Sequence, residues 1–228
     1  MMSVDSNKNQ DQESNENTSE EYPIIPNLLL DRPKEWTYTM RRCMQKVIPG
    51  LYIGPYSAAS RSKLESLLEH GITHIICVRQ DIEAHFIRPN FPDKFKYLVL
   101  NIADTISENI IQHFKNVKEF IDEGINSGGQ VLVHGNAGIS RSSALVIAYL
   151  METYGLSRTY AFTLLQRKRF CINPNSGFMA QLKEYEPIYK AQGTLRNNQQ
   201  KSIKERGKRT IHQMNIGRVE DRTNTMDS

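Results

Sequence analysis

The feature that most constrains this chain is the run Val131-Leu132-Val133-His134-Gly135-Asn136-Ala137-Gly138-Ile139-Ser140-Arg141-Ser142-Ser143. Three successive apolar residues suit a strand covered on both faces. A loop over 135–141 holds two glycines, and an apolar helix is predicted from Ser142 to Tyr154. A strand, a tight loop and a helix in this order let backbone N–H groups converge on an anion at the positive end of the helix. Gly138 permits a positive φ, and Arg141 offers a fork for two phosphate oxygens. No Gly-Lys-Ser/Thr closes the loop and no three-glycine fingerprint runs through it, so it is neither a Walker loop nor a dinucleotide loop. The same spacing also fits a tight strand-to-helix turn with a surface arginine, and the residues alone leave both readings open.

Around this run the chain alternates strand-like and helix-like segments. Leu51–Ile53, Thr73–Val78 and Lys96–Leu100 read as strands, the last two β-branched or apolar. Ser57 to His70 is predicted as a helix with Leu64, Leu67 and Leu68 on one face and Gly71 as its stop. Ile110, Phe114, Val117, Ile121 and Ile125 recur at helical spacing, and further helices are predicted around 157–169 and 174–190. The expected fold is an α/β domain with a mainly parallel sheet covered by helices.

Tails bracket this pattern. Residues 1–34 carry seven acids and three bases, and 193–228 carry eight bases and four acids. Both are polar and too poor in apolar side chains to offset their ordering entropy, so they are expected to be disordered, leaving 35–192 as the domain. The tail charges cancel, so the domain itself holds the net +4. That favours acidic partners but falls short of a nucleic-acid footprint. No apolar run reaches the ~20 residues that span a bilayer, and the polar N-terminus lacks the apolar segment of a secretory signal. The three cysteines, Cys43, Cys77 and Cys171, show neither metal-ligand spacing nor a disulfide framework. A reducing compartment, cytoplasmic and nuclear, is expected. The segment 201–209, KSIKERGKR, reads either as a weak nuclear-import signal or as a solvated basic tail.

VHGNAGISRSS resembles the HCxxGxxRS signature loop of the dual-specificity protein phosphatases. The match covers His134, Gly138, Arg141 and Ser142 and departs at one position, where the family's cysteine is replaced by Gly135. VIPGLYIGPYSAAS, GITHIICV, AYLMETYG and RFCINPNSGFMAQLKEYE extend the resemblance over roughly 46–190. It implies a phosphate cradle formed by Gly135, Asn136, Ala137, Gly138, Ile139, Ser140 and Arg141, supported by His134 and Ser142. In active members the cysteine thiolate attacks phosphorus, a hydroxyl at the place of Ser142 assists its departure, and an upstream aspartate protonates the leaving group. Asp104 matches that aspartate, though Thr105 and Glu108 could instead form a capping box behind a turn. With Gly135 in the nucleophile position both catalytic positions, Gly135 and Asp104, are degenerate, and His134 is expected to be a satisfied structural histidine.

The resemblance therefore implies a pseudophosphatase that binds phosphorylated proteins in MAP kinase signalling, without cofactor or metal. Contacts with F-box proteins are implied as well. Two rival readings remain: a weak enzyme using serine or water as nucleophile, and a scaffold acting through another surface. Cys77 and Cys171 are expected to be buried packing residues. His70, His74, His85 and His113 show no metal spacing, and Phe178, Tyr185 and Tyr189 fit a helix packing face.

Overall fold

The computed structural model describes residues 35–194; the two predicted tails lie outside these residues, apart from 193–194, which are helical. Five strands form one sheet: β1 (Gln45–Ile48), β2 (Leu51–Pro55), β3 (Ile72–Arg79), β4 (Lys96–Asn101) and β5 (Gln130–Gly135). Their order is β1-β2-β5-β3-β4, with β1 antiparallel to β2 and every other pairing parallel. Parallel strands need crossovers: one helix lies in the connection between β2 and β3 and one in that between β4 and β5, the β3–β4 connection holds only the 3-10 turn Asp81–Glu83, and the remaining helices follow β5. The helices are α1 (Leu64–Glu69), α2 (Ile111–Asn126), α3 (Arg141–Tyr154) and α4 (Arg158–Lys168), followed by α5 over 176–194.

Side-chain alternation along β5 divides the core. Val131 and Val133 join the larger cluster with Ile76, Val78 and the apolar faces of α2 to α5, including Phe178, Tyr185 and Tyr189. Leu132 points the other way, with Ile75, Leu67 and Phe95. Each such side chain taken fully from water contributes about 1.5–3 kcal/mol. Both faces are covered, which is why β5 reads as an unbroken apolar run.

Two expectations need correction. The helix predicted from Ser57 is two 3-10 turns, Tyr56–Ala59 and Arg61–Lys63, before the short α1. Ser60 breaks it: its backbone is extended, and its hydroxyl donates to Ser57 O at 2.9 Å, an alternative to helical bonding. Leu67 is fully buried, whereas Leu68 is 53% exposed and does not share its face. Gly71, at φ +66°, does end α1. β1 was not foreseen, because Gln45 and Lys46 interrupt its apolar pattern and its pairing is bulged between Lys46 and Ile48.

Candidate functional site: the anion cradle

β5 ends at the carboxyl edge of the sheet and delivers His134 and Gly135 to the base of a cleft of about 260 Å³ bounded by Asp104 and residues 135–142. The loop between Gly135 and α3 is tethered through its carbonyls. The Tyr56 amide donates to Asn136 O at 3.0 Å and the Asn173 amide to Ile139 O at 2.9 Å. Arg169 donates to Gly138 O at 2.7 Å and Ala137 O at 2.9 Å, and Ser143 Oγ to Ser140 O at 2.8 Å. Among the described residues, none of the amides of 136–140 donates to a protein acceptor. Carbonyls held from outside and amides left without partners, at the start of the 14-residue α3, make a site for an anion. Gly138 is required here: its φ is +66°, and a Cβ would lie 2.4 Å from Gly54 O.

Arg141 opens α3, and its side chain is 8% exposed. Nη1 and Nη2 donate to Glu83 at 2.5 and 2.9 Å, and Nη1 also reaches Ile102 O at 3.2 Å. Of five guanidinium donors, three are thereby occupied. The edge formed by Nε–H and the second Nη2–H remains, with Asp104 Oδ2 3.9 Å from Nε. The symmetrical fork expected for phosphate is thus half committed to a carboxylate, and an anion would meet the Nε edge. Burial raises the Glu83 carboxyl's pKa, but hydrogen bonds from Arg141, the Gln80 amide and Asn136 outweigh it and hold the group below the usual carboxylate range.

Asp104 reaches the cleft rim. Its Oδ1 accepts from Ser140 Oγ at 2.6 Å and Asn175 Nδ2 at 2.9 Å. Asn175 also caps α5, its Oδ1 accepting from the Phe178 amide. At Gly177 a Cβ would stand 2.0 Å from Ile106 O, so the glycine lets α5 close against the Asp104 segment. The alternative capping box at Thr105 and Glu108 is not formed at a helix start: the two make only a backbone turn at 3.3 Å, and the Ile110 amide donates to Gln181.

Below the cradle, His134 is fully buried, and burial lowers its pKa to about 4 against the raising effect of its bond to Gly135 O. A satisfied histidine was expected here, but Nε2 has no partner among the described residues. Ser142 Oγ is likewise buried without a partner. Gly135 carries ordinary φ, and a Cβ there would meet only van der Waals contacts, the nearest being Ser142 Oγ at 3.5 Å.

Glu83, Arg169 and Asn175 were not singled out in the sequence. Arg169 has 0% exposure and bonds five carbonyl oxygens, on Arg41, Cys43, Gln45, Ala137 and Gly138. Sitting in a Lys/Arg run, it reads as solvated; only its tertiary contacts reveal it. Cys77 is buried in β3, its thiol raised to about 11 by burial, while Cys43 is exposed and Cys171 half-buried rather than buried. Among the described residues no cluster of His, Cys, Asp or Glu could hold a metal, and no helix is long and apolar enough to cross a membrane.

Residues 51–188 match the dual specificity phosphatase catalytic domain. The mouse serine/threonine/tyrosine-interacting protein is 61% identical over 175 residues, covering 77% of this chain and 78% of that protein. The crystal structure of the human tyrosine phosphatase-like serine/threonine/tyrosine-interacting protein superposes with a TM-score of 0.64 at 63% identity, over 65% of this chain and 98% of that one. MAP kinase phosphatase with leucine-rich repeats protein 2 of Dictyostelium discoideum is 41% identical over 140 residues, which is 61% of this chain and 19% of that protein. The chain belongs to the dual-specificity phosphatase family. Within it, it groups with the serine/threonine/tyrosine-interacting proteins, a pseudophosphatase branch.

Proposed function

We propose that this protein binds phosphorylated serine, threonine or tyrosine side chains of signalling proteins in its cradle and does not hydrolyse them. The observation that carries the reading is the tethered loop with unpartnered amides surrounding a position, Gly135, that has no nucleophile. Ser140 and Ser142 do not replace it. Ser140 Oγ is engaged with Asp104, and Ser142 Oγ lies below the cradle with no base in contact. A glycine also leaves the cradle floor without the thiolate charge that would oppose an incoming phosphate.

A protein of this kind acts by shielding a phosphosite, competing with active phosphatases or anchoring a kinase. MAP kinases, or proteins phosphorylated by them, are the proposed partners, supported by the MAP kinase phosphatase relative of Dictyostelium. Their compartments make cytoplasm and nucleus the proposed locations. The F-box contact implied by resemblance draws no support from the cleft's chemistry.

The test is amide NMR with a phosphotyrosine peptide and a phosphothreonine peptide. Shifts concentrated at 136–141, saturating between micromolar and millimolar peptide (about −8 to −4 kcal/mol) and abolished in Arg141→Ala, are expected. Shifts elsewhere with none at 136–141 would favour a scaffold acting through another surface.

A further inference from the structure

Gly135 leaves open, at the floor of the cleft, the space that a side chain would fill. Outside its own neighbours in the chain, the atom nearest to its missing Cβ is Ser142 Oγ, at 3.5 Å. Ser142 Cβ is farther, at 3.8 Å, so the hydroxyl is turned towards the gap. Gly135 and Ser142 both line the cleft, so the gap opens into it. Resting on the proposed phosphate-binding role, we infer that this gap is an oxygen subsite. The phosphoryl group sinks over Gly135, and one of its oxygens accepts a hydrogen bond from Ser142 Oγ where a thiol would stand in a cysteine-bearing loop.

Ser142 is 1% exposed, and its hydroxyl has no hydrogen-bond partner among the described residues. A serine in a helix ordinarily returns its hydroxyl to a carbonyl of the preceding turn. Ser143, the next residue of α3, does so, donating to Ser140 O at 2.8 Å. Ser142 does not, and leaving a buried hydroxyl unpaired is unfavourable unless a ligand completes it. The third atom near the gap, Val78 O at 3.6 Å, is an acceptor and offers an anionic oxygen nothing. Ser142 is therefore the side-chain donor on this floor.

The framework keeps the gap open. Gly135 is fixed as the last residue of β5, in register with Pro55 of β2, and Ser142 as the second residue of α3. The loop between them is held by the carbonyl tethers from Tyr56, Arg169 and Asn173. A phosphate monoester carries several terminal oxygens. The Nε edge of Arg141 and the loop amides draw some of them towards the wall, and the floor is free for another. A sulfur on residue 135 would occupy that place. The glycine then does more than delete a nucleophile: it makes room for the ligand to bind lower and to gain a charge-assisted bond from Ser142.

The experiment is a double-mutant cycle on the full chain, with a phosphotyrosine peptide as the probe in calorimetry. Wild type is compared with Ser142→Ala, Gly135→Ala and the double variant, and each is also unfolded in denaturant without peptide in phosphate-free buffer. Gly135→Ala puts a methyl group into the gap at ordinary contact distances, so the chain should fold. Ser142→Ala should weaken the peptide by about tenfold, the size of one charge-assisted bond, without lowering stability, because the deleted hydroxyl bonds nothing in the free protein. Gly135→Ala should weaken it by at least about tenfold, and the double variant no further, since oxygen and hydroxyl no longer meet. Ser142→Ala binding within about twofold of wild type, losses that add in the double variant, or a binding loss matched by a stability loss each overturn the subsite and leave phosphate binding standing. If the peptide does not bind the wild type at all, the phosphate-binding function falls and the subsite with it.

Discussion

Ser142 Oγ lies 3.5 Å from the point that a Cβ on Gly135 would occupy, and it has no hydrogen-bond partner among the described residues. A buried hydroxyl without a partner is costly, roughly 1–3 kcal/mol, and a sulfur at position 135 would supply one.

Gly135→Cys is therefore expected to create a phosphatase. The other neighbours of the new Cβ, Val78 O at 3.6 Å and Ser142 Cβ at 3.8 Å, leave it room. Loop amides and the start of α3 lower a thiol's pKa, and a held phosphate lies in line for attack. Aryl phosphate hydrolysis should appear in Gly135→Cys and vanish when Arg141→Ala is added. Adding Asp104→Asn should slow it by about 10²–10⁴-fold for a leaving group that needs a proton. A folded but inactive Gly135→Cys would show that the loop is not a preserved catalytic scaffold.

Arg141 and Glu83 form a buried pair, so removing either partner leaves the other's charge uncompensated. Arg141→Ala and Glu83→Gln are each expected to cost about 3–5 kcal/mol in denaturant unfolding. The double variant should cost clearly less than the two together, because the second change removes a charge already stranded. Additive losses would mean that the two side chains do not act as a pair.

His134 makes stability depend on pH in a defined window. Unfolded, an imidazole takes up its proton near pH 6.5; folded, this one does so only near 4. Between those values the unfolded state binds more protons, so the contribution is fully present above about pH 6.5 and is lost as the pH falls towards 4. The loss approaches 1.4 kcal/mol per pH unit, roughly 3 kcal/mol in all. Unfolding free energies of wild type and His134→Asn should therefore converge on acidification, and parallel pH profiles would contradict the assignment.

How far the sequence reveals this protein follows from the range of the interactions. β5, α2 and α3 are legible because their patterns are carried by neighbouring residues, as is the cradle loop with Gly138 and Arg141. What escaped depends on contacts between distant segments. Glu83 meets Arg141 across 58 residues, and Arg169 reaches Arg41 across 128. The contact Glu83 makes nearby, accepting from the Gln80 amide at 2.9 Å, does not point to Arg141, and Arg169 stands in a basic run. The helix expected from Ser57 failed for a local reason, the Ser60 hydroxyl bond, which apolar periodicity does not register.

The central claim is that phosphate is held without being turned over, and phosphorus NMR of a phosphotyrosine peptide with a slight excess of wild-type protein reads both halves at once. The phosphoryl resonance should shift and broaden on addition of protein and return to its free position in the Arg141→Ala sample. It should keep its full intensity over days, with no inorganic phosphate. Inorganic phosphate that accumulates with the wild type and not with Arg141→Ala would contradict the account and make the protein an enzyme.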